Sequence, residues 1–264
     1  MKRQFRGAAV AAAPFLIGSA AHAQAYTAPR NAVVNAAGAR LVEVEAGAGS
    51  LRVEGKQGLS QVQVTGTARA SSQGILNEIR LIAERRGDRV FIKADIPERN
   101  GYYDNYDASL DLVVEVPQGM NADIADGSGD TKIYNVGELD AADGSGELLI
   151  DGAQSVRVTD GSGSLTIENV RGDVRVNDGS GEIDVRNVAG SFTVESDGSG
   201  GISATDVRGS VVVRNDGSGG IDVSKVGKDF RVENKGSGNI DYADVTGSVD
   251  IPDRRGGRHN RYRE

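Results

Sequence analysis

Six aspartates at nearly constant spacing are the residues of this chain with the most chemistry to offer. Asp126, Asp143, Asp160, Asp178, Asp197 and Asp216 each open the tetrapeptide Asp-Gly-Ser-Gly, and Lys235-Gly-Ser-Gly follows. The successive spacings are 17, 17, 18, 19, 19 and 19 residues. Carboxylates repeated at one period could hold calcium between coils, since carboxylate and carbonyl oxygens are its natural ligands. They could equally be turn residues, each accepting a hydrogen bond from a turn N–H. At the roughly 4.8 Å of stacked strands, two carboxylates in bulk water repel by about 1 kcal/mol. One capping hydrogen bond returns about 1 kcal/mol. An exposed ladder therefore requires no cation, and Lys235 offsets charge at its end. The Gly-Gly-x-Gly-x-Asp nonapeptide of calcium-binding β-rolls is absent. The expectation is a structural turn ladder without a cofactor, calcium being the one ion it could take.

Catalytic constellations are harder to assemble. The repeated Ser128, Ser145, Ser162, Ser180, Ser199, Ser218 and Ser237 lack the Gly-x-Ser-x-Gly elbow, and seven equal copies indicate a turn residue rather than one activated nucleophile. There is no Cys, and beyond residue 23 the one His is His259, near the C-terminus. Thiol and Ser-His chemistry thus lack their nucleophile or base. Zinc-ligand spacing and phosphate-binding Gly loops are missing. Asp184, Asp222 and Asp241, with Arg186, fall on one predicted outer face. Clustered carboxylates there would suit a polysaccharide-cleaving enzyme, but short coils without long loops offer no cleft. No catalytic, cofactor-binding or metal residue is assigned. Tyr102, Tyr103 and Tyr106 lie in the polar stretch 100–107. Such rings give contact area and a hydroxyl at low entropy cost, which suits glycan or protein recognition; they could also cover the N-terminal coils.

The elements that would position these residues follow from the repeat. Between the Asp-Gly-Ser-Gly copies run five apolar rows. One coil reads Ile183, Val185, Val188, Phe192, Val194, and the next reads Ile202, Ala204, Val207, Val211, Val213. The first two rows are two residues apart, as are the last two, which is the signature of strands with one buried face. Each coil is then strand, turn, strand, turn, with Asn/Asp-Val-x-Gly at the other corner, as in Asn169-Val170-Arg171-Gly172. A hairpin meander shares these local signals. Recurrence of like residues in one register favours a β-solenoid, in which coils stack like on like. The length drift is expected in loops rather than strands.

Toward the N-terminus, Ala46-Gly47-Ala48-Gly49-Ser50-Leu51-Arg52-Val53 matches the layout of the repeat, so the solenoid should start near Leu41. Ile79, Leu81 and Ala83, then Val90, Ile92 and Ala94, read as a hairpin around Arg86-Gly87-Asp88. A helix over 75–85 is the alternative. The organisation expected is a signal peptide at 1–23, a linker at 24–40, irregular coils forming a cap at 41–120, the regular solenoid at 121–252 and a disordered basic tail at 253–264.

The signal peptide rests on Lys2, Arg3 and Arg6, the apolar run Ala8–Ala20 and the Ala21-His22-Ala23 cleavage pattern. No later stretch is long enough to cross a bilayer as a helix. Beyond residue 23 the balance is 27 basic residues against 38 acidic ones. That argues against nucleic acid and against adhesion to anionic lipid.

The Gly-Ser-Gly turns, each followed by x-Ile-x-Val and then Asn/Asp-Val-x-Gly-x-Val-x-Val, resemble a bacterial domain family of unknown function described as putative adhesins, related to adhesin-head domains. The resemblance covers about residues 40–252. It implies an exported, all-β, right-handed parallel β-solenoid of about seven regular 17–19-residue coils, with no catalytic residues to carry over. The chain departs from the pattern in its shorter coils at Asp126 and Asp143 and in its Tyr-rich insertion. The function expected is a non-catalytic binding or structural module of the cell envelope, periplasmic or on the surface, with a glycan or envelope protein as partner. A periplasmic scaffold or stress-related protein without an adhesive role is the second reading, and a polysaccharide-active enzyme the third.

Overall fold

A computed structural model describes residues 26–97, 106–252 and 258–261, the last without side chains. The expected signal peptide, Tyr102 and Tyr103, and most of the tail lie outside the described residues. The N-terminal part comprises β1 (Tyr26–Asn35), β2 (Leu41–Glu45), β3 (Leu51–Lys56), β4 (Gln61–Ala70), α1 (Gln73–Glu78), β5 (Arg80–Arg86), β6 (Arg89–Asp95) and β7 (Ala108–Pro117). Regular coils follow as strand pairs: β8 (Asn121–Asp126) and β9 (Thr131–Tyr134), β10 (Glu138–Asp143) and β11 (Gly146–Asp151), β12 (Ser155–Asp160) and β13 (Gly163–Val170), β14 (Val174–Asp178) and β15 (Gly181–Val188). The stack continues with β16 (Phe192–Asp197) and β17 (Ile202–Val207), β18 (Val211–Ser218) and β19 (Ile221–Val226), β20 (Phe230–Ser237) and β21 (Ile240–Val245). It closes with β22 (Val249–Pro252) and β23 (Arg258–Arg261).

Consecutive strands of the repeat lie in different sheets. One sheet runs β9-β11-β13-β15-β17-β19-β21 and the other β22-β20-β18-β16-β14-β12-β10-β8, all parallel within these runs. A hairpin meander would pair each strand with the next, antiparallel. The parallel pairing of every second strand makes the protein a β-solenoid.

Like stacks on like, as the rows require. Ile183 lies beside Ile202 and Ile202 beside Ile221, Val188 beside Val207, and Phe192 beside Val211. The five rows form one continuous buried core between the sheets. At the Asn/Asp-Val-x-Gly corner, Asn135, Asn169, Asn187 and Asp206 adopt left-handed backbone with φ of 54–63°. Asn and Asp tolerate that region better than other side chains. Their amides also run along the stack: Asn187 Nδ2 donates to Asn169 Oδ1, and Asn169 Nδ2 to Asp151 Oδ1, both at 2.6 Å.

The length drift is shared between a turn and a strand. Ala153 and Val156 are three apart and Val170 and Val174 four, so the step from 17 to 18 residues is absorbed at the corner. The step to 19 is not. Between β14 and β16 the register shifts after Val176, so that Asn177 pairs with Ser196 and Glu195 is the extra residue of a β-bulge. This corrects the expectation that loops alone take up length. The bulge adds its residue before Asp197 and so keeps Asp178 opposite Asp197.

The N-terminal half departs further from simple coils. β2 and β3 form a coil stacked directly on β8 and β9, although residues 57–120 lie between them in sequence. Those residues make an excursion that ends as the next coil outward, with β6 parallel to β2 and β7 parallel to β3. β5 and β6 form the expected antiparallel hairpin, and helix is confined to α1, where the Ser72 hydroxyl accepts from the Ile75 N–H at 3.3 Å. The linker expected at 24–40 is corrected: Tyr26–Asn35 is an edge strand antiparallel to β4, which is itself antiparallel to β7. Its inward positions are Ala28, Arg30, Ala32 and Val34, while Val33 faces out, so the apolar alternation that marks a strand is faint. Arg30 fixes it further, donating from Nε to the Ile79 carbonyl and from one terminal nitrogen to the Leu76 carbonyl, each at 2.9 Å, at the C-terminal end of α1. Arg258–Arg261, within the expected tail, pairs antiparallel with β22.

Candidate functional site

The solenoid has one corner where the chain passes from the first sheet of a coil to the second through Asp-Gly-Ser-Gly. Two features of interest share it: the aspartate column, and a groove at the column's N-terminal end.

The column is in strict register. Asp126 lies beside Asp143, then follow Asp160, Asp178, Asp197, Asp216 and finally Lys235. All six aspartates are buried, with exposures between 2% for Asp197 and 8% for Asp126. The near-cancellation of repulsion by capping belongs to an exposed ladder and does not hold for this buried one. The expected capping bond is largely displaced as well. The Gly144 N–H donates at 3.1 Å to the main-chain carbonyl of Asp126, and Gly161 does the same to Asp143, Gly179 to Asp160 and Gly198 to Asp178. The turn donors thus tie coil to coil and hold the carboxyls down only in part.

Burial consequently dominates the column's electrostatics. It raises every one of the six above the usual carboxylate range, with the neighbouring carboxylates adding to the effect on Asp143, Asp160 and Asp197. Asp143 and Asp197 reach about 7 and Asp160 about 6. Two members have relief from outside the column. The Thr131 hydroxyl donates to Asp126 Oδ2 at 3.0 Å, and the Lys235 charge acts on Asp216. Where Thr131 stands in its coil, the later coils have Leu148, Leu165, Ile183, Ile202 and Ile221, none of which can donate. Among the described residues no group of three or more His, Cys, Asp or Glu converges to hold a metal ion.

The groove occupies the same corner one coil further out. In the β2–β3 coil the turn is Ala46-Gly47-Ala48-Gly49, with Ala48 bridged to Ser128 and the Ala46 N–H donating at 2.8 Å to the Ala125 carbonyl. Ala46 therefore takes the place of the column's next aspartate. In the β6–β7 coil the turn is replaced by residues 96–107, the Tyr-rich insertion. Between the two turns opens a cavity of about 640 Å³ walled by Ala46, Gly47, Ala48, Ala94, Ile96, Pro97, Tyr106 and Ala108. The Tyr106 hydroxyl donates to the Pro97 carbonyl across it. Its mouth carries the Lys93–Glu45 ion pair at 2.6 Å and Asp95, which is paired with Arg80. An apolar wall with a few fixed polar groups at the rim is the general form of a small-ligand or side-chain pocket.

Of the three tyrosines singled out in the sequence, Tyr106 lines this groove; Tyr102 and Tyr103 lie outside the described residues. Asp184, Asp222 and Asp241 do share one outer face, in register through Ser203. Asp184 is ion-paired with Arg186, which also reaches Glu168 at 3.5 Å. The groove itself was missed in the sequence, though a signal existed: the one turn of the series with Ala in place of Asp and Ser lies next in the stack to the one turn that is enlarged.

Several solved structures are similar to this chain. One described as a putative adhesin from Bacteroides fragilis matches with a TM-score of 0.53 at 14% identity, over 82% of this chain and 97% of that one. This chain shares its fold. A protein described as a putative lipid binding protein from Parabacteroides distasonis matches at 14% identity with a TM-score of 0.47, over 84% of this chain and 96% of that one. One described as a putative cell adhesion protein from Clostridium sporogenes matches at 12% identity with a TM-score of 0.34, covering 83% and 99%. No protein-family model and no curated protein sequence matches. The likeness concerns the fold.

Proposed function

We propose that the protein is an exported, non-catalytic binding module of the cell envelope that engages a glycan or an envelope protein through its N-terminal corner. The observation that carries this reading is the groove itself. At one coil of the stack the tight turn is exchanged for a Tyr-bearing insertion, and the adjoining turn is thinned to Ala46-Gly47-Ala48 beneath it. Neither change serves the stacking of regular coils, and together they make the concavity. The signal-peptide pattern at 1–23 supports export, and the fold shared with a protein described as a putative adhesin agrees with a role in binding.

The test has two parts. Mature chain and a Tyr102→Ala/Tyr103→Ala/Tyr106→Ala variant are compared for binding to a panel of bacterial and host polysaccharides and to solubilised envelope proteins. Loss of binding with an unchanged melting temperature is the expected result; equal binding by both would sink the assignment to this corner. Protease shaving of intact cells carrying a tagged copy then decides between the surface and the periplasm. Digestion only after lysis would remove the adhesive role and leave an internal envelope partner.

A further inference from the structure

We propose that the aspartate column is a proton-binding site, a chain of carboxyl–carboxylate hydrogen bonds along the solenoid axis that makes the stack tighter in mild acid than in base.

The argument starts from geometry. Six carboxyl groups stand in one row, one per coil, each at least nine-tenths buried. Asp143, Asp178 and Asp197 have both oxygens buried without a partner, and Asp126, Asp160 and Asp216 have one each. A carboxylate only accepts hydrogen bonds, so a row of carboxylates cannot satisfy itself. A buried acceptor without a donor is costly, and a buried charge more so. Strand register sets neighbouring carboxyls side by side, Asp143 with Asp160, Asp178 with Asp197 and Asp197 with Asp216. One proton placed between two such groups turns a repulsive contact into a charge-assisted hydrogen bond. Proton sharing between close carboxyls is the general response to this arrangement.

Other groups offer little competition. Across the coil the column faces Thr131 and then aliphatic side chains. Along its own strands the preceding inward row is aliphatic, from Ala141 to Val213. The turn itself contributes Gly N–H groups, which are engaged along the stack, and the Ser180 and Ser199 N–H groups, which only partly offset burial at Asp178 and Asp197. At one end Ala46 brings no charge; at the other the Gly236 N–H and the charge of Lys235, whose amine donates to the Gly238 carbonyl at 2.7 Å, act on Asp216. Among the described residues Lys235 is thus the cation that bears on the column. The highest values fall on Asp143 and Asp197, each flanked by carboxylates on both sides in the row.

The sign of the effect follows. The folded column keeps protons that the unfolded chain releases near the ordinary carboxylate pKa of about 4. Stability from this source is complete below that value and is lost as pH rises through about 6 to 7. This is the reverse of ordinary acid denaturation.

The experiment uses the mature chain in calcium-free buffer. Its melting temperature should fall by about 5 °C or more between pH 5 and pH 8. An infrared difference spectrum between pH 6 and pH 9 should show a protonated-carboxyl band that disappears while the β-sheet bands stay. In Asp143→Asn/Asp197→Asn the amides supply donors that do not titrate, so the melting temperature at pH 8 should rise and its pH dependence flatten. A wild-type melting temperature that is flat or rises from pH 5 to pH 8, or the absence of the infrared band, overturns the proposal. So does a larger gain in melting temperature from calcium chloride at pH 8 than from acidification, which would assign the column to a metal. Should the double variant fail to fold, the infrared reading of the wild-type chain decides alone.

Discussion

Gly219 lies so closely over Gly200 that a Cβ added to it would stand 1.4 Å from the Gly200 carbonyl oxygen, at a backbone φ of 152°. The second glycine of every Asp-Gly-Ser-Gly turn repeats this relation to the coil before, from Gly129 over Gly49 to Gly238 over Gly219. Gly220, its neighbour in sequence, has nothing within 4 Å of the same position and no positive φ. Gly219→Ala should therefore destabilise the protein by about 1–3 kcal/mol from backbone strain alone, with the steric overlap adding to it. Gly220→Ala should be neutral or slightly stabilising, since it only restricts the unfolded chain. Urea unfolding of the two single variants reads the contrast, and equal effects would show that the stacking distance at this corner is not the constraint.

Thr131 is the one side-chain hydroxyl that donates into the column. Thr131→Val keeps its volume and removes the donor. The charged form of Asp126 loses more than the protonated form, so its pKa should move up further. The variant should lose about 1–3 kcal/mol at pH 8 and less at pH 4, because protonation of Asp126 weakens its demand for the donor. Unfolding curves at the two pH values check this; a loss of the same size at both would mean that packing, not the hydrogen bond, is what Thr131 supplies.

Lys235 is where a seventh aspartate would stand, and its charge holds Asp216 down. Lys235→Gln should raise the pKa of Asp216 while leaving the unfolded chain's carboxyl unchanged. The melting temperature is expected to drop at pH 8 and to stay the same at pH 4. High salt should shrink the difference, because Lys235 is only half-buried and its field is partly screened. Carboxyl-carbon NMR of Asp216 measures the shift directly, and an unmoved titration would refute the assignment.

One coil should be removable. Asp197 and Asp216 are equivalent positions, and β16 and β18 share one register, Val194 beside Val213 and then Asp197 beside Asp216. Deleting residues 198–216 joins Asp197 to Gly217 and restores an intact Asp-Gly-Ser-Gly turn. The product should fold with the same circular-dichroism signature of β-sheet and a lower midpoint of unfolding, as expected when stability accumulates coil by coil. Deleting about half a coil, 198–207, joins Asp197 to Arg208, cuts across the rows and should give an unfolded or aggregating chain. Folding of both would deny that register is what the repeat encodes.

The sequence by itself determined the coil. Alternation in rows such as Ile183/Val185 and Phe192/Val194, Gly at each Asp-Gly-Ser-Gly corner and the common period suffice for a parallel stack, because side-chain parity and turn sterics are local properties repeated in register. Parity even contained the burial of the column, since Asp143, Asp160 and Asp178 stand two residues after the buried Ala141, Val158 and Val176. What outweighed that signal was the usual exposure of aspartate in turns. Only the tertiary structure decided which donors remain for those carboxyls, because the turn glycine N–H groups bond to carbonyls of the neighbouring coil and offset the burial of their own side chains only in part. The same holds for the bulge at Glu195, the edge strand Tyr26–Asn35 and the return of β6 and β7 onto β2 and β3. Each is a contact between segments far apart in the chain. The groove exists for that reason: Ala46–Ala48 and Tyr106 are unremarkable in sequence and form a cavity only because the excursion through residues 57–120 lays one turn over the other.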